Sequence, residues 1–118
     1  MLKTIPELMS EIRQTIQTTS AKDAYEYAQK EKCIFIDVRE PQEVAESPVS
    51  HSINLPRGVL EMNITKLTSD ENHPIFLHCA TGGRASFAAE QLIRLGYKNV
   101  WAIICPHSYV CSAQKKVS

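Results

Sequence analysis

The segment Phe76-Leu77-His78-Cys79-Ala80-Thr81-Gly82-Gly83-Arg84 places a thiol first, small residues next and a guanidinium last. Each residue type has a chemical task in that order. Successive N–H groups of a small-residue loop can converge on an anion, and adjacent glycines allow the backbone conformations this needs. If a helix follows, the positive end of its dipole adds to the cradle, and Arg84 closes the rim. Such a loop stabilises Cys79 as a thiolate and makes it a nucleophile without a general base. It would also hold an anionic group that becomes attached to the sulfur. A cysteine at a strand end is ordinarily a packing residue, but packing alone does not ask for paired glycines and an arginine at fixed spacing.

The flanking patterns say how the loop is positioned. Ile75-Phe76-Leu77-His78 is an apolar β-favouring run, and from Arg84 onward Phe87, Ala88, Leu92 and Leu95 recur at helical spacing until Gly96. Cys33-Ile34-Phe35-Ile36-Asp37-Val38 and Val100-Trp101-Ala102-Ile103-Ile104 are further apolar strands, and Ile53-Asn54-Leu55 is a short one. Helical patterns lie between them: Ser20 caps a helix running to about Lys30, Pro41 opens a short turn through Gln42 to Glu46, and Val59, Leu60, Met62, Ile64 and Leu67 supply a less regular one. Ser108 to Lys116 is expected to be a short closing helix or a frayed tail. At the amino end, Thr4-Ile5-Pro6-Glu7 is a capping box, and Leu8, Ile12 and Ile16 predict an amphipathic helix of about three turns that ends in the polar run Gln17-Thr18-Thr19. Strands alternating with helices predict an α/β domain, a small mainly parallel sheet with helices on both faces. The Cys79 loop then falls at the carboxyl end of a central strand, where open α/β sheets place their ligands.

Composition narrows the function classes. The chain has 118 residues, 43% hydrophobic and 22% charged, with 13 Lys+Arg against 13 Asp+Glu. That is one core, and no net charge to attract nucleic acid or an anionic membrane. No run of about 18 apolar residues and no leader pattern appear, so a cytoplasmic, reduced protein is the expectation. The four cysteines are too few and too irregular for a disulfide scaffold. Cys33 reads as core, whereas Cys105 and Cys111 read as flanking a turn, with a resolving role against Cys79 as the alternative. Cys105-Pro106-His107 with Cys111 matches no zinc module, so neither metal nor cofactor is expected.

At this point the residues resemble the rhodanese family of sulfurtransferases. The resemblance rests on Ile36-Asp37-Val38-Arg39-Glu40-Pro41, on Ile53-Asn54-Leu55-Pro56 with Arg57-Gly58, on the loop Cys79 to Arg84, and on Leu95-Gly96-Tyr97-Lys98-Asn99-Val100. The resemblance spans roughly Ser20 to Ile104 and implies a rhodanese-like domain, taken as residues 20–118; residues 1–19 lie outside it and are expected to be a helical extension whose apolar stripe docks on the core, with a homodimer or partner contact as the alternative. It also implies a persulfide on Cys79 and transfer of that sulfane sulfur from a small anionic donor such as thiosulfate to a thiophilic acceptor, cyanide or a thiol. The backbone of Ala80, Thr81, Gly82, Gly83 and Arg84 would stabilise the persulfide, and Arg84 would help bind the donor. Asp37 and Arg39, ending a neighbouring strand, would brace the loop or the pocket edge, a surface ion pair being the plainer alternative. The protein is expected to be a monomer or a weak homodimer.

The chain departs from the family pattern at Ser47 to Ser52 and at Cys105 to Tyr109, segments expected to wall the pocket. Two rivals stand beside the sulfurtransferase. A cysteine phosphatase or arsenate reductase loop has one more residue between Cys and Arg than the four present here, and the shorter ring leaves less room for a tetrahedral oxyanion. A non-catalytic rhodanese-like module for binding or regulation would not need Cys79.

Overall fold

The computed structural model describes residues 1–117. Its elements are α1 (Ile5–Arg13), β1 (Gln17–Thr19), α2 (Ala21–Ala28), β2 (Ile34–Asp37), α3 (Pro41–Glu46), β3 (Ser52–Asn54), a 3-10 turn (Arg57–Val59), α4 (Leu60–Leu67), β4 (Ile75–His78), α5 (Gly83–Leu95), β5 (Val100–Ile103) and α6 (His107–Val117). The strands form one five-stranded sheet in the order β1-β5-β4-β2-β3. Every pairing in it is parallel.

Consecutive residues of a strand point to opposite faces, and the two cores follow that alternation. Ile36, Leu77 and Ala102 face a cluster closed by Leu60 and Ile64 of α4 and by Ala85, Ala88, Ala89 and Leu92 of α5. Phe35, Phe76 and Ile103 face the other side, with Ala21, Ala24 and Tyr25 of α2 and Val110 of α6. Helices therefore cover both faces of the sheet, as the alternating pattern predicts. On the second face, Tyr25 stacks on Phe35 with ring centroids 4.3 Å apart, and Phe35 stacks on Phe76 at 5.2 Å.

The amino-terminal segment differs from expectation. Thr4 accepts the Glu7 N–H as an N-cap, as the capping box requires. The helix nevertheless stops at Arg13, and Gln17-Thr18-Thr19 is an edge strand beside β5, with Thr18 opposite Ala102. A three-residue polar strand has too few apolar positions for alternation to show, and edge strands are commonly short and polar. Ile16, outside the helix, packs against the first core. The closing segment is a helix, α6, so Cys111 sits one turn along it from His107 and does not flank a turn.

Register sets up the site. Asp37 lies opposite His78 on one side and Asn54 on the other, all in the last row of their strands. Cys79 follows immediately. Because Phe35 is sandwiched between two aromatic neighbours and is 6% exposed, Phe35→Ala should cost on the order of 3–5 kcal/mol. The check is the shift of the urea unfolding midpoint relative to wild type.

Candidate active site

Cys79 is 1% exposed, at the point where β4 leaves the sheet. Its sulfur accepts two backbone hydrogen bonds, from the Gly82 N–H at 3.1 Å and from the Ala85 N–H at 3.4 Å. These donors come from the start of α5, where the first N–H groups of a helix have no partner within it. The helix dipole points the same way. Of the predicted donors, Gly82 reaches the sulfur. Ala85 lies one residue beyond the predicted loop, and the signal for it was the helix pattern itself, whose third N–H needs an external acceptor.

The two glycines differ in what they do. Gly82 has φ +93°, and a Cβ there would meet the Ile104 Cα at 2.8 Å. No L side chain fits that space. Its carbonyl accepts both the N–H and the hydroxyl of Ser86, at 3.0 and 2.7 Å, and Arg13 of α1 donates to the same hydroxyl at 3.3 Å. Gly83 is the first residue of α5, and a Cβ on it would meet only the end of the Met9 side chain, at 3.7 Å. Thr81 is exposed. Ala80 uses its carbonyl to accept the His107 N–H at 2.8 Å, which fastens the start of α6 to the loop.

Arg84 stands on the rim, and its guanidinium is already engaged. It donates in a fork to Glu43, Nη1 to Oε2 at 2.6 Å and Nη2 to Oε1 at 2.9 Å. Glu43 also accepts the Glu40 N–H at 2.8 Å. The Arg84 fork and this N–H hold the Glu43 carboxyl down to about 2. Glu43 was not among the sequence candidates, although Glu40-Pro41-Gln42-Glu43 carries a capping-box spacing that could have directed attention to α3.

Asp37 and Arg39 are not a surface pair. They are 2% and 3% exposed. The Arg39 guanidinium donates to both Asp37 oxygens, with the shortest contact 2.8 Å, and continues to the Ser47 carbonyl at 2.7 Å. Asn54 donates to the carbonyls of both Asp37 and Arg39 at 2.9 Å. The pair thus braces the segment that carries α3, and with it Glu43. Ser47 in turn lies 2.9 Å, by its hydroxyl, from His107 Nε2, whose ring also meets Cys111 Sγ at 3.2 Å. Both departures from the family pattern therefore meet beside the loop.

His78 is fully buried, with Nε2 2.7 Å from the Ser52 hydroxyl. Burial pushes its pKa from the usual 6.5 down to about 4, against the pull of Asp37. Cys33 and Cys111 pack with the core on the opposite face of the sheet from Cys79. All four cysteines are free thiols. Among the described residues no group of three or more His, Cys, Asp or Glu could hold a metal ion.

The model of the rhodanese-like domain matches residues 20–104. The chain belongs to the rhodanese-like domain family. A protein of Schizosaccharomyces pombe named "Putative thiosulfate sulfurtransferase, mitochondrial" is 35% identical over 79 residues, covering 57% of this chain and 55% of that one. The rhodanese-like chain thus spans little more than half the length of this relative. Among solved structures, the polysulfide-sulfur transferase homodimer of Wolinella succinogenes is 26% identical with a TM-score of 0.74, over 87% of this chain and 78% of that one. A Rhodopseudomonas palustris protein of unknown function, described as a possible tyrosine phosphatase, has a TM-score of 0.80 at 22% identity, over 96% and 92% of the two chains. At that identity the likeness is one of fold.

Two outcomes test the site's construction. Gly82→Ala should cost about 3 kcal/mol, from positive φ and overlap with Ile104. Gly83→Ala should leave stability unchanged or raise it by up to about 0.5 kcal/mol. Thermal melts of the pair of variants read the contrast.

The second outcome concerns acid. The unfolded chain protonates His78 below pH 6.5, whereas the folded rhodanese-like domain resists until about pH 4. Stability therefore falls as pH drops through that window, by on the order of 3 kcal/mol at its lower end. Burial lowers the His107 pKa as well, so it adds in the same direction. Urea midpoints measured between pH 7 and pH 4 should show this slope, and His78→Gln should remove most of it.

Proposed function

We propose that this rhodanese-like chain is a sulfurtransferase that moves a sulfane sulfur through a persulfide on Cys79. The observation that carries the reading is the Cys79 sulfur itself, held at a strand end with the Gly82 and Ala85 N–H groups directed at it. Those dipoles favour a negative charge on sulfur and need no proton acceptor nearby. The names of the relatives point to the same chemistry.

In the first half-reaction the Cys79 thiolate attacks the outer sulfur of a donor such as thiosulfate. The donor's S–S bond breaks, its electron pair leaves with sulfite, and Cys79 becomes a persulfide anion. In the second, cyanide or a thiolate attacks the outer sulfur of that persulfide, forming thiocyanate or a new persulfide and returning the Cys79 thiolate. The two steps are separable, so kinetics are ping-pong. The loop holds four residues between Cys79 and Arg84, a ring suited to one added sulfur atom.

A phosphatase reading is less well supported by the carboxylates. Such chemistry needs a protonated acid for the leaving group. Asp37 is locked under Arg39, and Glu43 is held ionised by Arg84. A non-catalytic module would leave the N–H convergence on Cys79 without a use. No helix among the described residues is long and apolar enough to cross a membrane, and a reducing compartment such as the cytoplasm suits a reactive free thiol. The chain is proposed to act as a monomer or weak homodimer.

Intact-mass analysis after incubation with thiosulfate alone should show a gain of one sulfur that is absent in Cys79→Ser. Added cyanide should discharge it as thiocyanate. Wild-type protein that gains no sulfur and makes no thiocyanate would overturn the assignment in favour of a binding module.

A further inference from the structure

Resting on the persulfide reading above, we propose that Glu43 is a specificity-determining residue: by occupying Arg84 it makes the site favour sulfur donors of low charge over the thiosulfate dianion. Two of the guanidinium groups near Cys79, those of Arg39 and Arg84, each face a carboxylate. Arg39 is enclosed with Asp37 at 2.8 Å. Arg84 is forked onto Glu43 at 2.6 and 2.9 Å, and both of these side chains are about one third exposed, at 35% and 36%. A donor reaching Cys79 therefore meets a rim pair of no net charge, together with the N–H dipoles at the start of α5.

Those dipoles serve any single anionic centre next to the sulfur. The second charge of thiosulfate gains nothing comparable, because the cation that would meet it is neutralised by Glu43. The carboxylate has a second hold besides Arg84. Its Oε2 accepts the Glu40 N–H at 2.8 Å, and the segment carrying it is fixed at its far end where Arg39 grips the Ser47 carbonyl at 2.7 Å. Donors bearing one charge on the transferable group, a thiosulfonate or a thiol hydropersulfide, lose less to this arrangement than the dianion does.

The test replaces Glu43→Gln, which keeps an oxygen for the Glu40 N–H and removes the charge. Two donors with the same sulfur chemistry are compared: thiosulfate, a dianion that releases sulfite, and methanethiosulfonate, a monoanion that releases methanesulfinate. Coulomb energy scales with donor charge, so kcat/KM should rise on the order of tenfold for thiosulfate and about threefold for methanethiosulfonate. The gain should shrink at high salt. It should vanish in the double variant Glu43→Gln with Arg84→Ala, because the two residues act as one unit.

Glu43→Ala should move the donor ratio in the same direction, which guards against a folding defect peculiar to one substitution. If Cys79 still gains sulfur but the thiosulfate to methanethiosulfonate ratio stays the same or falls, Glu43 only holds Arg84 in position and this proposal is overturned. If neither donor adds sulfur to Cys79 in wild type or variant, the persulfide reading fails and takes this one with it. Intact mass separates those two failures.

Discussion

The buried Asp37 and Arg39 pair is the constraint on which the rest of this site depends. Bringing two opposite charges out of water costs more than their attraction returns unless every remaining donor and acceptor is matched. Here they are matched by the chain itself. Arg39 reaches the carbonyl of Ser47, Asn54 ties the carbonyls on either side of the pair, and β2 thereby delivers its last residues at one fixed angle. The helix that follows can then present Glu43 to Arg84, and Ser47 can meet His107. Removing either charge would leave the other stranded in the interior.

Around that brace the molecule divides its electrostatic work between dipoles and charges. Among the described residues, the hydrogen bonds to the sulfur come from backbone N–H groups, which do not titrate. Arg39 and Arg84 do not hydrogen-bond the sulfur and are each paired with a carboxylate. With equal numbers of acidic and basic residues in the whole chain, no global field supplements the local one. His78, adjacent to the thiol in sequence, is kept neutral by burial and hydrogen-bonded to Ser52, so it adds no charge at neutral pH.

Much of this was legible in the sequence because it depends on local pattern. The Thr4 cap, the apolar strands at residues 34–37, 75–78 and 100–103, the helix read from Arg84 and found over Gly83–Leu95, and the thiol just before it each follow from residue type and spacing. What escaped depends on contacts distant in sequence. Gln17-Thr18-Thr19 is a strand only because β5 lies beside it. For Asp37 and Arg39 the sequence leaves open a brace and a surface ion pair, and only the closing of β2, β3 and α3 around them shows the pair buried; Glu43 reads as part of an acidic stretch until Arg84 arrives from 41 positions away. The glycine pair was legible as a pair, but only three-dimensional proximity to Ile104 separates the indispensable member from the tolerant one.

That proximity has an evolutionary consequence. Gly82 and Ile104 belong to different connections, yet their backbones pass so closely that a single methyl group would not fit between them. The Cys79 loop and the turn after β5 are therefore one unit of inheritance. A relative that carries any side chain at the position of Gly82 must also have a displaced or lengthened β5–α6 connection, so insertions in that connection should travel with substitutions in the thiol loop across the family.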